Sequence, residues 1–131
     1  MSENKELAAG LVGHAETFVD EENTAESMKS GMLPVFATPA MVALMEEAAC
    51  AAIAEALRAG ETSVGISLSI AHLAATPVGR KVQAEAKLLA VEGRKLTYEI
   101  VARDASGEIG KGTHERFLVD VKKFLQKAAS R

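Results

Sequence analysis

Cysteine and long apolar runs are scarce in this sequence, and each scarcity excludes a class of protein. The single cysteine, Cys50, has no partner for an internal disulfide, and no Cys/His cluster has the spacing of zinc ligands. No apolar run approaches the ~20 residues that a membrane-spanning helix needs. The polar, partly acidic start of the chain lacks the pattern of a secretory or transit peptide. We therefore expect a cytoplasmic protein with no membrane partner and no metal.

An excess of basic residues is also missing. Fifteen basic and eighteen acidic side chains give a formal net charge of −3. Surfaces that bind nucleic acid are typically basic, so we do not expect nucleic acid as a partner. The length of 131 residues and the hydrophobic fraction of 48% are those of one ordinary globular domain.

Alanine is abundant in one segment, whereas aromatic residues are few everywhere. Ten of the 23 residues in the range 37–59 are alanine. The whole chain holds five aromatic residues: Phe18, Phe36, Tyr98, Phe117 and Phe124. Alanine is the best helix former, and its short side chain lets a sheet approach a helix closely. The composition therefore predicts a long helix held against a sheet and not a large aromatic core.

The order of the predicted elements indicates an α+β fold. Thr38 and Pro39 form a typical helix start, with the threonine as N-cap and the proline in the first turn. This helix is expected to run to about Arg58 and to end at Gly60. Alternating apolar residues between turn residues predict strands at 11–19, 62–72, 81–91, 95–103 and 109–119. Because most of these strands are joined by tight turns, they should form an antiparallel sheet packed on one helix.

Glu46 is a candidate functional residue because of its position on the predicted helix. At about 100° per residue, Glu47, Glu55 and Arg58 share a polar sector, and Glu46 lies about 130° from its centre. A carboxylate on the apolar side of a helix needs a partner or a shifted pKa. The alternative is a glutamate at the edge of that face whose side chain reaches solvent.

Two further candidates, His72 and Thr38, are also singled out by position. His72 has the same strand parity as Val64, Ile66, Leu68 and Ile70, so it continues the face that should cover the helix. It is either a functional group or a core histidine with satisfied hydrogen bonds. Thr38 is either a simple N-cap or a hydroxyl placed where helix N–H groups favour an oxyanion or a polarised carbonyl.

The remaining reactive side chains carry weaker signals. Cys50, inside the alanine-rich helix, is expected to be a small buried hydrophobic residue. His14 and His114 lack a setting comparable to that of His72 and are expected to be structural or surface groups. The sequence contains no Gly-rich phosphate loop and no nucleophile elbow of the G-x-S-x-G type.

Four segments together form a specific pattern. They are VFATPAMVALME (35–46), the strand from Gly65 through SIAHLAATPVG (69–79), VEGR (91–94) and GTHER (112–116). They resemble the hotdog-fold thioesterases of the fluoroacetyl-CoA thioesterase type. The resemblance covers roughly Val35 to Val119.

The resemblance implies a fold, an assembly and a set of site residues. The whole range 1–131 would be one hotdog thioesterase-like domain, an antiparallel sheet wrapped around a long central helix, with a short C-terminal helix at about 120–129. The protein would be a homodimer with two active sites at the subunit interface. The catalytic threonine, glutamate and histidine of the family correspond to Thr38, Glu46 and His72. By the same resemblance, the positions that would contact substrate are Gly65, Arg116 and Phe36.

The expected activity is hydrolysis of a short-chain acyl-CoA thioester, with coenzyme A as part of the substrate and no separate cofactor. His72 would act as general acid or base, and Thr38 as nucleophile or as a donor that positions the acyl group. Backbone N–H groups near Gly65 would stabilise the oxyanion. Arg116, Arg80 and Lys81 are candidate contacts for CoA phosphates; the alternative for these cations is a solvated surface.

The segment before Val35 departs from the family pattern. Met28 and Met32 stand where the fluoroacetyl-specific enzyme carries bulky aromatic residues. Two other functions of this fold remain open: a non-catalytic dimer that binds acyl-CoA or another small ligand, and a hydratase or dehydratase. An assay of thioester hydrolysis distinguishes a thioesterase from the non-catalytic dimer. An assay of crotonyl-CoA hydration detects a hydratase.

Overall fold

The computed structural model describes residues 6–131 and is built around one long helix and a five-stranded antiparallel sheet. The elements in chain order are β1 (Val12–Phe18), α1 (Ala25–Met28), α2 (Thr38–Ile53), β2 (Glu61–His72), β3 (Lys81–Glu92), β4 (Lys95–Asp104), β5 (Gly107–Asp120) and α3 (Val121–Ala129). The expected α+β architecture is confirmed. The α-helical part of α2 ends at Ile53, earlier than the expected end near Arg58. Residues 54–56 follow it as a 3-10 turn before the chain reaches β2.

The strands lie in the order β1-β3-β4-β5-β2, and every neighbouring pair is antiparallel. Tight turns join β3 to β4 and β4 to β5. Gly93 and Gly107 in these turns have φ angles of 64° and 131°, which glycine adopts without a steric penalty. The chain crosses from one edge of the sheet to the other through α2, so the two edge strands are β1 and β2.

Helix α2 packs on the β1, β3 and β4 side of the sheet through small residues. Ala48, Ala49 and Ala52 are buried. The larger core side chains come from both layers: Met41, Met45 and Ile53 from the helix, and Tyr98, Leu88 and Ile100 from the sheet. The helix backbone comes so close to β1 that a Cβ atom at Gly13 would overlap the carbonyl oxygen of Ala48 and the backbone nitrogen of Ala52. The alanine-rich composition therefore gives the close contact that the sequence predicts.

Strand β2 is less covered than the rest of the sheet. Within the described residues its one strand neighbour is β5, so the other edge of this 12-residue strand is unpaired. Ile66 and Leu73 are 51% and 54% exposed. Cys50, on α2, is also exposed, so the expectation that it is buried is wrong: the helix turns this face away from the sheet. An unpaired edge with exposed apolar side chains is a surface that favours association.

The segment between β1 and α2 is fastened to the turn before β3. Short β-bridges join Thr24 to Phe36 and Val35 to Pro77, and the Phe36 N–H donates to the Thr76 carbonyl at 2.8 Å. Between these anchors, Met32 is 87% exposed and Met28 is 41% exposed. The two methionines thus lie on an outer surface close to the start of α2.

The chain ends in α3, whose N-cap Asp120 accepts a hydrogen bond from the Lys123 N–H. Its apolar side chains Phe124 and Leu125 are largely exposed. No helix within residues 6–131 is both long enough and apolar enough to cross a lipid bilayer.

The close approach of α2 and β1 generates a stability prediction. Gly13→Ala should lower the free energy of unfolding by about 3 kcal/mol or more, because the added methyl group forces the helix backbone away from the strand. Chemical denaturation monitored by circular dichroism measures the change.

His14→Ala is the matched control on the same strand. Its side chain is 69% exposed, and its contact is with Glu85 on the outer face, so the change should stay within about 0.5 kcal/mol. Equal stabilities of the Gly13→Ala and His14→Ala variants would contradict the packing argument.

Candidate active site

The start of helix α2 leaves the hydroxyl group of Thr38 available. The N-cap is Ala37, whose φ and ψ of −74° and 142° are extended, and Thr38 is the first helical residue. The expectation that Thr38 is the N-cap is therefore wrong by one position. An alanine has no side-chain acceptor, so this helix begins without a side-chain cap. The threonine hydroxyl is free to contact another group.

That group is His72. The Thr38 hydroxyl lies 2.7 Å from Nδ1 of His72, at the end of β2. Burial lowers the pKa of His72, and the nearby backbone of Ala74 partly opposes this effect. The neutral imidazole therefore predominates at neutral pH, and its Nδ1 accepts the Thr38 O–H. A hydroxyl bonded to a neutral imidazole is the arrangement that activates an oxygen nucleophile.

Glu46 lies farther along α2 and has different partners. Its Oε2 accepts a hydrogen bond from an Nη atom of Arg116 on β5 at 3.0 Å. The carboxylate is 40% exposed, whereas the Arg116 side chain is 7% exposed. Arg116 also donates from Nε to the Ser63 hydroxyl at 2.8 Å and from its other Nη atom to the Ser63 carbonyl at 3.0 Å. These hydrogen bonds hold the guanidinium in place, with one Nη atom directed at Glu46.

Gly65 gives the Glu46 carboxylate the space that it occupies. A Cβ atom at Gly65 would lie 2.6 Å from Oε2 of Glu46 and 3.4 Å from an Nη atom of Arg116. The sheet register shifts between Gly65 and Ser67, so β2 has a bulge beside this contact. Gly65 therefore belongs to the Glu46 part of the site through its missing side chain.

His114 is a member of this cluster that sequence reasoning did not single out. It is 1% exposed, its Nδ1 lies 2.8 Å from the Ser67 carbonyl, and its Nε2 lies 3.2 Å from an Nη atom of Arg116. We expected His114 to be a structural or surface group, and this expectation did not include its contact with Arg116. The available signal was strand parity, because His114, Arg116 and Leu118 alternate on the face of β5 that meets the helix.

The remaining expected substrate contacts have other settings. The Arg116 guanidinium is buried against Ser63 and Glu46, so the contacts that the structure gives it are with the protein itself, and its expected contact with a CoA phosphate stays a prediction. Phe36 is 1% exposed and lines a cleft of about 410 Å³ with Met28, Ala40 and Leu44 among its walls. Arg80 and Lys81 are exposed.

The structure brings Thr38 to His72 and Glu46 to Arg116, but it keeps these two parts apart within one chain. Eight residues of α2 separate Thr38 from Glu46, a rise of about 12 Å. Seven residue steps along β2 separate Gly65 from His72, a span of about 23 Å. Among the described residues, Glu46 has no hydrogen bond to His72 or Thr38. A cleft of about 200 Å³ opens at the Glu46 part, between α2 and β2.

Residues 6–131 contain no group of three or more His, Cys, Asp or Glu side chains placed to hold a metal ion. The polar groups that make up the two parts of the site are a hydroxyl, an imidazole, a carboxylate and a guanidinium. The hydroxyl and the imidazole form one hydrogen-bonded pair, and the carboxylate and the guanidinium form the other.

Comparison with solved structures identifies the class of protein. The chain shares its fold with a hot-dog-like protein from Thermanaerovibrio acidaminovorans, with a TM-score of 0.84, 22% identity and coverage of 94% of this chain and 91% of that one. It is also similar to the fluoroacetyl-CoA thioesterase FlK, with a TM-score of 0.91, 35% identity and coverage of 97% and 98%. Structures of variants of that enzyme include complexes with acetyl-CoA and with fluoroacetate and CoA. The chain is a hotdog-fold thioesterase.

The particular family follows from the sequence matches. Residues 19–122 match the family described as FlK, fluoroacetyl-CoA-specific thioesterase. A fluoroacetyl-CoA thioesterase from Streptantibioticus cattleyicolor is 47% identical over 93 residues, which cover 71% of this chain and 67% of that protein. The chain belongs to this family, and the resemblance found in the sequence is confirmed.

The position of the N-cap generates a prediction about Thr38. Thr38→Ala should lower the free energy of unfolding by no more than about 1 kcal/mol, the usual net contribution of its one hydrogen bond to His72, because its hydroxyl does not cap α2. Thr24→Ala is the matched comparison, since the Thr24 hydroxyl accepts the Ser27 N–H at the start of α1 and the residue is 3% exposed. That variant should lose about 1 kcal/mol or more. A larger loss for Thr38→Ala than for Thr24→Ala in thermal unfolding would contradict this assignment.

Proposed function

We propose that this protein hydrolyses a short-chain acyl-CoA thioester to the free acid and CoA, with Thr38, His72 and Glu46 as the catalytic residues. The observation that carries the proposal is the 2.7 Å contact between the Thr38 hydroxyl and Nδ1 of a neutral His72. Membership of the thioesterase family supports the reaction class. The complexes of the related enzyme with acetyl-CoA, fluoroacetate and CoA support a small acyl group.

The geometry at Thr38 supports nucleophilic catalysis. As the Thr38 oxygen attacks the thioester carbonyl, its proton passes to Nδ1 of His72. Collapse of the tetrahedral intermediate breaks the C–S bond, and His72 returns the proton to the CoA sulfur. A water molecule then attacks the acyl-threonine and gives its proton to His72. Collapse of this second intermediate breaks the bond between the acyl carbon and the Thr38 oxygen, releases the free acid and returns the proton from His72 to Thr38. The first turn of α2, which lacks a side-chain cap, offers backbone N–H groups to the oxyanion.

Glu46 joins this chemistry most simply from a second copy of the chain. The two parts of the site are about 12 Å apart along α2, too far for a hydrogen-bonded triad within one protomer. The unpaired edge of β2, with the exposed Ile66 in the strand and Leu73 just after its end, offers a surface for a homodimer. If two β2 strands pair antiparallel about a two-fold axis near Leu68 and Ser69, Gly65 of one chain faces His72 of the other.

This assembly produces two equivalent composite active sites. Each contains Thr38 and His72 of one protomer, with Glu46, Gly65 and Arg116 of the partner subunit. Glu46 of the partner subunit, a half-exposed carboxylate fixed by Arg116, would orient the water that hydrolyses the acyl-threonine. The CoA moiety would leave the interface toward solvent.

The outer segment with Met28 and Met32 bears on the choice of acyl group. Flexible, exposed methionine side chains adapt to different shapes more readily than bulky aromatic rings. We therefore propose that the enzyme accepts several short acyl groups and does not select strongly for fluorine.

Turnover of an acyl-CoA panel tests the reaction and the roles of Thr38 and His72. Release of free CoA thiol should be measured with acetyl-, fluoroacetyl-, propionyl- and butyryl-CoA. On the best substrate, His72→Ala should lower kcat by about 100-fold or more, the usual contribution of general acid–base catalysis. Thr38→Ser should keep much of the activity, and Thr38→Ala should lose it. A folded His72→Ala enzyme with wild-type turnover, or a wild type that hydrates crotonyl-CoA and releases no thiol, would overturn the proposal.

Mixed dimers test the composite site. Thr38→Ala and Glu46→Gln should each keep only a small residual activity as homodimers. In a mixed dimer of the two variants, one site combines both substitutions and the other has neither. After unfolding and joint refolding at equal concentrations, about half of the dimers are mixed, so about a quarter of wild-type activity should return. Sites contained within one protomer would give no recovery, and that result would contradict the assembly.

The direction of the His72 pKa shift predicts the acid limb of the pH profile. The active base is neutral His72, and burial disfavours its charged form. The value of kcat/KM should therefore stay constant as the pH falls from 8 to below about 6.5, the ordinary pKa of histidine, and should decline only at lower pH. Rates measured in buffers of constant ionic strength test this. An acid limb with its midpoint above the ordinary value would contradict the assigned role.

A further inference from the structure

The buried imidazole of His114 has a proton arrangement that its neighbours determine. Its Nδ1 lies 2.8 Å from the backbone carbonyl of Ser67, which can only accept a hydrogen bond. Nδ1 therefore carries the proton. In a neutral ring, Nε2 then has a lone pair and accepts the hydrogen bond from the Arg116 Nη atom 3.2 Å away. The ring thus connects the backbone of β2 to the guanidinium of β5.

The same Arg116 Nη atom contacts both His114 and Glu46. It has two hydrogens, and its two neighbours are Nε2 of His114 at 3.2 Å and Oε2 of Glu46 at 3.0 Å. Nε and the second Nη atom are bonded to Ser63. Because a guanidinium is planar, its hydrogens point in fixed directions, and these four contacts fix its orientation. One hydrogen of the shared Nη atom then points to Nε2 of His114, and the other points to Oε2 of Glu46.

The surroundings of His114 keep the ring neutral. Burial and the adjacent positive charge of Arg116 lower its pKa, while the Ser67 carbonyl and the Glu46 carboxylate 3.9 Å away oppose the shift. The titratable and charged groups that face the ring are Glu46 from α2, Arg116 on β5 and Tyr98 from β4, whose ring centroid is 6.0 Å away. Burial raises the pKa of Tyr98 to about 12, so this neighbour is uncharged.

We propose that His114 is a positioning residue for catalysis: its neutral imidazole, anchored on the backbone of β2, holds Arg116 in the orientation that fixes the Glu46 carboxylate. This inference rests on the proposed function, in which Glu46 takes part in thioester hydrolysis. A protonated His114 would present a donor to the Arg116 Nη hydrogens and would attract Glu46 directly, so both contacts of the guanidinium would change.

Two isosteric amides separate the anchoring contact from the acceptor contact. The amide of asparagine reaches the position of Nδ1, and the amide of glutamine reaches the position of Nε2. His114→Asn should therefore lose the acceptor for Arg116 and lower kcat on the order of tenfold or more, with a much smaller change in KM, because misplacement of a catalytic group acts on the chemical step. His114→Gln should restore most of kcat. Thermal unfolding of both variants checks that they are folded.

A double-mutant cycle with Glu46→Gln tests whether His114 acts through Glu46. In the Glu46→Gln background, His114→Asn should cause little further loss of kcat, because the group that it positions is already removed. In mixed dimers, His114→Asn should recover activity with Thr38→Ala but not with Glu46→Gln.

The outcomes distinguish this inference from the proposed function. A wild-type kcat for folded Glu46→Gln would overturn the catalytic role of Glu46 and this inference with it. If Glu46→Gln loses activity, three results would each overturn the role of His114 alone. The first is a wild-type kcat for His114→Asn, and the second is an equal loss of kcat in His114→Asn and His114→Gln. The third is a pair of losses that multiply in the double variant.

Discussion

The length of helix α2 between Thr38 and Glu46 is the constraint on which the organisation of the site depends. A packed helix cannot shorten, so the rise of about 12 Å over these eight residues is fixed. Thr38 therefore meets His72 at one end of β2, while Glu46 meets Arg116 beside Gly65. Every chemical interpretation of this chain has to account for that separation, and pairing across a homodimer is the arrangement that we propose.

The position of the helix follows from the smallest residues in the chain. Gly13 lets the α2 backbone touch β1, and buried alanines such as Ala48 and Ala52 face the sheet without holding it at a distance. Residue Gly65 has the same role at the Glu46 carboxylate. The scarcity of aromatic side chains is therefore linked to the geometry of the site, because larger residues at these positions would move the helix and the carboxylate away from the sheet.

Much of the fold was predictable because its signals are local. Alternation gave the strands and the turn residues gave the hairpins, so the antiparallel sheet and the central helix were expected. The exact N-cap was missed, because threonine is a favoured N-cap residue and alanine is not, whereas here Ala37 is the N-cap and the Thr38 hydroxyl contacts His72. The exposure of Cys50 was also missed, because the sequence does not show how far the sheet extends over the helix.

The candidate site was predictable in part for a similar physical reason. Helical angle and strand parity singled out Glu46 and His72 one residue at a time, and the family resemblance added Arg116 and Gly65. His114 was missed because its significance lies in the contact with Arg116 and the Ser67 carbonyl, which depends on the register between β5 and β2. The separation of Thr38 from Glu46 was also missed, because the family resemblance implies three catalytic residues but gives no distances between them within one chain.

A crystal structure of the protein with CoA bound would test the composite site most directly. The measured quantities are the distances from the Thr38 hydroxyl to the Glu46 carboxylate of the same protomer and of the partner subunit. Our account predicts that the carboxylate of the partner subunit lies within reach of one bridging water from Thr38 and His72, at an interface formed by β2. A structure in which Thr38 and His72 face solvent away from any subunit interface, with the CoA sulfur beside them, would contradict it.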